Sequence, residues 1–476
     1  MPDRVREKAK PRLKAFRPKE VEQVHEATLE VLNRTGVKVT HPRVLELLAD
    51  AGAKVDDNRV RIPPVMVQSA LESAPSNIVL CNRGGRRSVV LRGNKSWMGP
   101  SLDCLDYLDP FTDERRRFTI QDCRTTAALL DGLPNYAWGM TFGLADDVDP
   151  DLADRAVMKE AMAHCEKPMV FCCKDTNSLK DIYEMAVVIA GSEKKFAKAP
   201  TIVMLADPIS PLVHSDEVVE KVVFCAENGI PHIYFGAPQA GSTGPATFAG
   251  TIVQGIAESL SGLVISQLIR AGAPFIFGAL ATIMDMRTMI FSYGAPEMSL
   301  MASAMAQMAR YYKLPSFGTA GCSDAKLPDA QAAAEATFSL QTSIFSGANL
   351  VHDCGLLDHG SLVSPACTVL VHEIISMINQ YIRGIRVDEE SLAVDVIDRI
   401  GPGGQFLTDD HTFDHFADVW YSSLFERSNY QKWLQEGGRR FEERLRQITL
   451  ESMEHEPAPL PEERVKELDR MAAHWK

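Results

Sequence analysis

The sequence predicts an α/β protein built on a TIM (β/α)8 barrel, with an N-terminal α+β cap and a helical C-terminal extension. Three observations carry that expectation. From Ser96 onward, about eight short apolar runs alternate with long amphipathic segments. Several runs open on proline after a helix stop, as in "EKPMV", "KAPTIV", "NGIPHIY", "GAPFIF" and "KLPSFG". No GxGxxG follows the first strand, which argues against an open dinucleotide-binding sheet. Strands alternating with helices pair in parallel through right-handed crossovers, and eight such units favour a closed barrel.

Residues 1–94 read as the cap. "VEQVHEATLEVLNRTG" and "HPRVLELLADAG" have apolar residues at helical spacing and a glycine stop, and "NRVRIPP" and "RRSVVLRGN" read as short strands. The barrel is expected over 95–388. Its strand candidates are "SWMGPSLDCLDYL", "YAWGMTFGL", "PMVFCC", "TIVMLAD", "HIYFG", "PFIFGAL", "PSFGTAG" and "LVHDCG". Helical segments such as "TIQDCRTTAALLDGL", "SLKDIYEMAVVIAG", "SDEVVEKVVFCAENG" and "EMSLMASAMAQMARYYK" lie between them. The methionines of the last have helical spacing and read as core. "PACTVLVHEIISMINQYIRGI" ends the barrel, and residues 389–476 form the extension. Its "IGPGGQFLTDDHT" reads as a tight turn near the barrel mouth or a neighbouring subunit, and a homo-oligomer is a separate expectation.

Composition narrows the function classes. Of 476 residues, 45% are hydrophobic and 24% charged, the ordinary balance of a globular protein. Net charge is −13 and no basic run exceeds Arg115-Arg116-Arg117, which argues against a nucleic-acid partner. The opening segment lacks an apolar core, and the longest apolar run, about 271–284, is short for a membrane span. Ten scattered cysteines without paired spacing read as reduced thiols, and the expected location is the cytoplasm.

In a barrel of this kind the chemistry sits where strands run into the following loops. The exits are Phe142 and Asp146; Cys172, Cys173 and Lys174; Asp207; Gly236; Gly278; "GTAGCSDAK"; and His352 with Asp353. Cys172, Cys173, Cys322 and Cys354 read either as a thiolate metal site or as small apolar packing residues. Asp329 is a natural helix N-cap, which leaves Asp324 open to a functional role. His352 beside Asp353 is either a satisfied core histidine or a site residue.

Five segments occur together and in order: "AGSTGPATFAGTIVQGIAE" (240–258), "DMRTMIFSYGAPE" (285–297), "GTAGCSDAKLPDAQA" (318–332), "SGANLVHDCGLLDHG" (346–360) and "GPGGQFLTDDHT" (401–412). With them the chain resembles the trimethylamine methyltransferase family, from about residue 15 to the end. The resemblance implies a barrel that passes a substrate methyl group to the cobalt of cobalamin carried by a separate corrinoid protein, with no tightly bound cofactor or metal of its own. Founding members carry pyrrolysine just before the "SDAK"-like segment, where this chain has Gly321-Cys322. Members without pyrrolysine resemble enzymes for quaternary amines such as glycine betaine, proline betaine and carnitine.

The chemistry agrees with that shift. A neutral tertiary amine leaves a quaternary ammonium without needing a proton, so the protein must hold the cation, orient one methyl and exclude water. Aromatic faces, worth about 0.5–2 kcal/mol each, and carboxylates hold fixed cations. Trp97, Tyr107, Phe142, Tyr234, Phe277 and Tyr293 are the aromatic candidates near strand ends. His352 is the first candidate for a substrate carboxylate and Lys326 the second, with His352 and Asp324 as the catalytic pair. Gly321 and Cys322 are expected to leave room for a larger substrate, with "SDAK" shaping the rim. A zinc-thiolate methyltransferase and a non-catalytic betaine-binding protein are the alternative readings.

Overall fold

A computed structural model describes residues 11–475. Eight parallel segments pair in a ring. Trp97–Met98 meets the 136–143 segment at Met98 and Tyr136, and that segment meets Met169–Phe171 at Gly139. Met169–Phe171, Ile202–Ala206, His232–Gly236 and Phe275–Ala279 pair in succession. Phe277 bridges to Ser316, ahead of Phe317–Thr319, which pairs with Leu350–His352. Leu350–His352 then pairs with Trp97–Met98 and closes the ring. This is a TIM-barrel-like topology. The first two expected strands differ from the rest. "SWMGPSLDCLDYL" contributes two barrel residues and then a separate strand, Asp106–Leu108, and "YAWGMTFGL" pairs only by isolated bridges at Tyr136, Gly139 and Gly143. Gly99, Pro100, Gly139 and Gly143 interrupt regular pleating there.

Side-chain alternation decides what the barrel holds. Trp138, Val170, Val203, Ile233, Ile276, Phe317 and Leu350 point inward and join Ile78, Leu80, Val89 and Leu91 in one buried cluster. The last four belong to a hairpin, Ile78–Cys81 with Arg87–Leu91. Cys81 N donates to Pro200 O and Arg83 N to Glu166 O, in the loops that precede two barrel strands. The hairpin therefore plugs the end of the barrel where the strands begin. The N-terminal strands Val37–Val39, Lys54–Asp56 and Arg59–Arg61 form a sheet completed by Val213–His214, from the loop after the fourth barrel strand.

Helix Phe248–Ile269 is long and apolar enough to cross a membrane, yet 83% of its apolar window is buried inside the protein. It packs against the barrel and the N-terminal helices, so its apolarity serves the core. Helix Pro365–Ile382 closes the eighth unit, and Phe441–Ser452 packs along it.

Candidate active site

At the other end of the barrel, where the strands finish, lies a cavity of about 560 Å³. Leu205, Phe235 and His352 line it from the barrel interior; Asp103, Asp106, Asp207, Asp353, Phe291, Tyr293, His359, Arg115 and Arg117 line it from the loops.

His352 is buried and stacked on Phe317, with ring centroids 4.3 Å apart, and Phe235 meets its ring edge-on at 5.3 Å. Its Nδ1 lies 2.8 Å from Gly318 O and 3.2 Å from Thr319 Oγ1. With Nδ1–H donated to that carbonyl, Nε2 faces the Asp353 carboxylate, whose Oδ2 is 3.1 Å away.

Asp353 is 2% exposed and adopts φ +69°, a left-handed conformation that Asp tolerates better than most residues. The turn aims its carboxylate into the cavity. Ser101 Oγ donates to Oδ1, whereas Oδ2 lies 3.1 Å from His352 Nε2 without an aligned hydrogen bond. A buried carboxylate oxygen so poorly satisfied is costly, and a cation placed in the cavity would offset that cost.

Asp103 and Asp207 open onto the same cavity and have no ion-pair partner among the described residues. Asp103 is exposed to the cavity, and the loss of bulk water around it there raises it to about 6, with Asp154 adding repulsion and Lys221 opposing it. Burial, then repulsion from Asp103, raises Asp207 to about 7, again against Lys221. Both side chains are exposed at the cavity, whose walls exclude enough water to penalise their charged forms. The backbone builds this corner. Asp103 and Phe142 both have positive φ, and Phe142 N donates to Ser101 O while Cys104 N donates to Phe142 O. Phe142 thus braces the segment that carries Asp103, with its own ring buried in the core.

The basic lining comes from a strand of three arginines, Arg115–Arg117, antiparallel to Asp106–Leu108. Arg115 and Arg117 reach the cavity, while Arg116 stacks on Tyr107 at 4.5 Å and pairs with Asp122. Arg115 bonds Asp106 and Asp358, and Arg117 bonds Asp106. The basic run of the sequence is a strand whose alternate residues serve two faces.

"SDAK" stands one step behind the lining. Asp324 accepts from Ser292 Oγ, from Tyr293 N at 2.8 Å and from His359 Nδ1 at 2.9 Å. It therefore positions two lining residues without reaching the cavity itself. Lys326 is exposed and bonds Asp324 O, Asp358 and His359. Asp329 caps helix Ala330–Ser346 as expected. Gly321 has φ +81°, and a Cβ there would lie 3.1 Å from Cys354 Cα, so only glycine fits without strain. Cys322 is buried beneath the wall and does not line the cavity.

Five aromatic candidates lie elsewhere. Tyr234 and Phe277 are on the outward face of their strands, where Tyr234 bonds His214 and Phe277 packs on Tyr312. Their inward neighbours, Phe235 and Ile276, occupy the interior instead. Tyr107 and Phe142 are core. Trp97 lies toward the plugged end, where its Nε1 donates to Val90 O. Tyr293 does line the cavity, and burial beside Asp353 pushes its hydroxyl well above its usual value. Phe235, Phe291, Arg115, Arg117 and Asp103 went unread in the sequence; strand alternation could have found Phe235 and the arginines.

The strand-end cysteines do not gather. No three His, Cys, Asp or Glu side chains converge as a ligand set among the described residues. Burial raises the thiols of Cys172, Cys173, Cys322 and Cys354, which keeps them neutral.

Comparison with known proteins places this geometry in a lineage. The chain is 33% identical over 453 residues to the trimethylamine methyltransferase MttB of Desulfitobacterium hafniense (strain DSM 10664 / DCB-2), covering 94% of this chain and 91% of that one. It is 31% identical over 420 residues to the glycine betaine methyltransferase of Desulfitobacterium hafniense (strain Y51), covering 88% of each. The crystal structure of the Methanosarcina barkeri monomethylamine methyltransferase (MtmB) aligns with a TM-score of 0.49 at 11% identity, over 91% of this chain and 87% of that chain. The family model "Trimethylamine methyltransferase (MTTB)" matches residues 3–476. The chain therefore belongs to the trimethylamine methyltransferase family, corrinoid-dependent methyltransferases that take a methyl group from methylated amines and pass it to a separate corrinoid protein.

Proposed function

We propose that the protein demethylates a quaternary amine that also carries a carboxylate, with glycine betaine the favoured substrate. One observation carries the reading: a single cavity joins three carboxylates free of arginine partners, three aromatic rings and two arginines. Asp103, Asp207 and Asp353 supply the counter-charge for a fixed cation. Phe235, Phe291 and Tyr293 supply ring faces and edges around its methyl groups. Arg115 and Arg117 supply donors for the substrate carboxylate.

This redistributes the roles expected from sequence. His352 is engaged by Gly318 O and Asp353, so its task is to hold Asp353 in place. Asp324 orients Tyr293 and His359. Lys326 steadies the rim.

The corrinoid of the partner protein would supply Co(I), a nucleophile that takes the methyl group as the C–N bond breaks. The nitrogen keeps the bonding pair and leaves as a neutral tertiary amine, so no proton has to be delivered. This chain's residues then bind, orient and exclude water. Cavity carboxylates that favour the cation also resist its neutralisation, so the rings and restricted water must lower the barrier by orientation rather than by charge.

The test is turnover of the purified chain with cob(I)alamin or corrinoid protein against glycine betaine, proline betaine, carnitine, choline and trimethylamine. Demethylation of one or more betaines in preference to choline and trimethylamine is the expected result. Turnover of trimethylamine alone would refute the assignment, and binding of betaine without demethylation would return the reading to a binding protein.

A further inference from the structure

We propose that the cavity retains its own product: the demethylated tertiary amine, once protonated, donates its N–H to Asp353 Oδ2 and binds more tightly than the quaternary substrate. The inference rests on the reading of this cavity as a quaternary-amine site and adds to it a regulation by product.

Asp353 is 2% exposed, yet its carboxylate lines the cavity. Ser101 Oγ donates to Oδ1. Two further groups stand beside the carboxylate. His352 Nε2 is 3.1 Å from Oδ2, and Tyr293 is close enough that burial and then this carboxylate raise its hydroxyl well above the usual value. Neither makes an aligned hydrogen bond to Oδ2, which is buried without a donor. A quaternary ammonium has four carbon substituents, so it brings this oxygen a charge and no N–H. A protonated tertiary amine brings the same charge and one N–H. A buried acceptor without a partner costs free energy until a donor reaches it, and here the product can supply the donor that the substrate lacks.

The chemistry balances without another reactant. Methyl transfer breaks the C–N bond and leaves the bonding pair on nitrogen. That lone pair takes a proton from solvent, because aliphatic amines are protonated near neutral pH. The new N–H also occupies the lone pair that a reverse transfer would need. In sustained turnover the retained amine competes with substrate, and the enzyme slows unless a following reaction consumes the tertiary amine.

Two effects oppose each other, and their sizes set the sign. A charge-assisted hydrogen bond to a buried acceptor is worth about ten- to a hundredfold in affinity. The methyl group that the product lacks costs about fourfold in lost contact with Phe235, Phe291 and Tyr293. The product is left about three- to thirtyfold ahead. Asp103 and Asp207 attract both cations alike. Their side chains are exposed at the cavity, where a bond from N–H replaces one to water.

The experiment is calorimetric titration of the full chain near neutral pH with tetramethylammonium and trimethylammonium chlorides, repeated with glycine betaine and dimethylglycine. No corrinoid is needed, so binding is read apart from turnover. In wild type the tertiary member of each pair is expected to bind about three- to thirtyfold more tightly. In Asp353→Asn that preference should vanish or reverse. Asp207→Asn should weaken both cations and keep their ratio, which separates a general loss of charge from the loss of this acceptor. Wild type that binds the quaternary probes as tightly as the tertiary ones overturns the inference and leaves the quaternary-amine reading standing. A preference that survives in Asp353→Asn also overturns it, because cation size would then be the source. Failure of both quaternary probes to bind overturns the reading of the cavity and this inference with it.

Discussion

The two ends of the barrel are made by the same strands and have opposite characters. Following the inward face up three neighbouring strands, Ile276 gives way to Gly278, Phe317 to Thr319 and Leu350 to His352. On the opposite side the change is slight: Val203 is followed by Leu205 and Ile233 by Phe235. At the lower end the hairpin and Trp138 complete a dry, close-packed cluster. At the upper end the small and polar residues leave a 560 Å³ cavity walled by carboxylates. A two-residue step along one face therefore separates a close-packed layer from the layer that lines the cavity. The second layer contains a buried carboxylate oxygen with no aligned hydrogen bond and two mutually repelling carboxylates, features that a core selected only for stability would lack.

The largest expected effect belongs to the dry end. Trp138→Ala should destabilise the fold by about 3–5 kcal/mol in chemical denaturation, the usual cost of emptying a large buried site. Substrate affinity of the folded fraction should barely change; a large affinity loss would mean that the two layers are not separate. Next comes Asp353→Asn, which keeps shape and removes charge. It should lower kcat/KM for a quaternary amine by about 10- to 100-fold, the worth of a charge-assisted contact, with little change in melting temperature. A variant within threefold of wild type would remove Asp353 from the cation site. Arg115→Gln sharpens the comparison within the mouth. Carboxylate-bearing substrates should bind about tenfold more weakly, and choline should be unaffected; equal losses for both would make Arg115 structural, through Asp106 and Asp358.

The smallest effect is a pH dependence. Asp103 and Asp207, raised to about 6 and about 7, must ionise to hold a cation. Affinity for tetramethylammonium should therefore rise as pH increases from 5 to 8. Folding stability should move the other way. A carboxyl with a raised folded pKa binds more protons folded than unfolded, so its contribution is present at low pH and is lost as pH rises through about 4 to 7. Asp207→Asn should flatten both curves, measured by calorimetry and thermal melts. A flat affinity profile in wild type would show that these carboxylates do not face the bound cation.

Barrel topology was legible because it rests on repetition: strands introduced by proline and separated by amphipathic helices keep their signal over many residues. The mouth was legible only as a list of strand exits. His352, Asp353 and Asp207 were on that list, and Tyr293 was among the aromatics. Tyr234 and Phe277 were placed one residue off the interior, because adjacent residues on a buried strand are all apolar and the run "HIYFG" does not reveal its inward parity. Asp103 and Phe142 depend on left-handed backbone at non-glycine positions, which no local pattern announces. The distinction between Asp353, which faces the cavity, and Asp324, which braces its wall, depends on contacts between segments about thirty residues apart.

The sheet formed by the N-terminal strands has a further consequence for how such a chain can vary. Its edge strand, Val213–His214, is borrowed from the loop that begins at Asp207, and Glu258 grips the same loop through Ser210 Oγ and Leu212 N. The strands of 37–61 and the loop after the fourth barrel strand are consequently one structural unit. Exchanging that loop between relatives would have to carry the matching N-terminal strand with it, and a shortened gene that spared every barrel residue would still release Asp207 from its post.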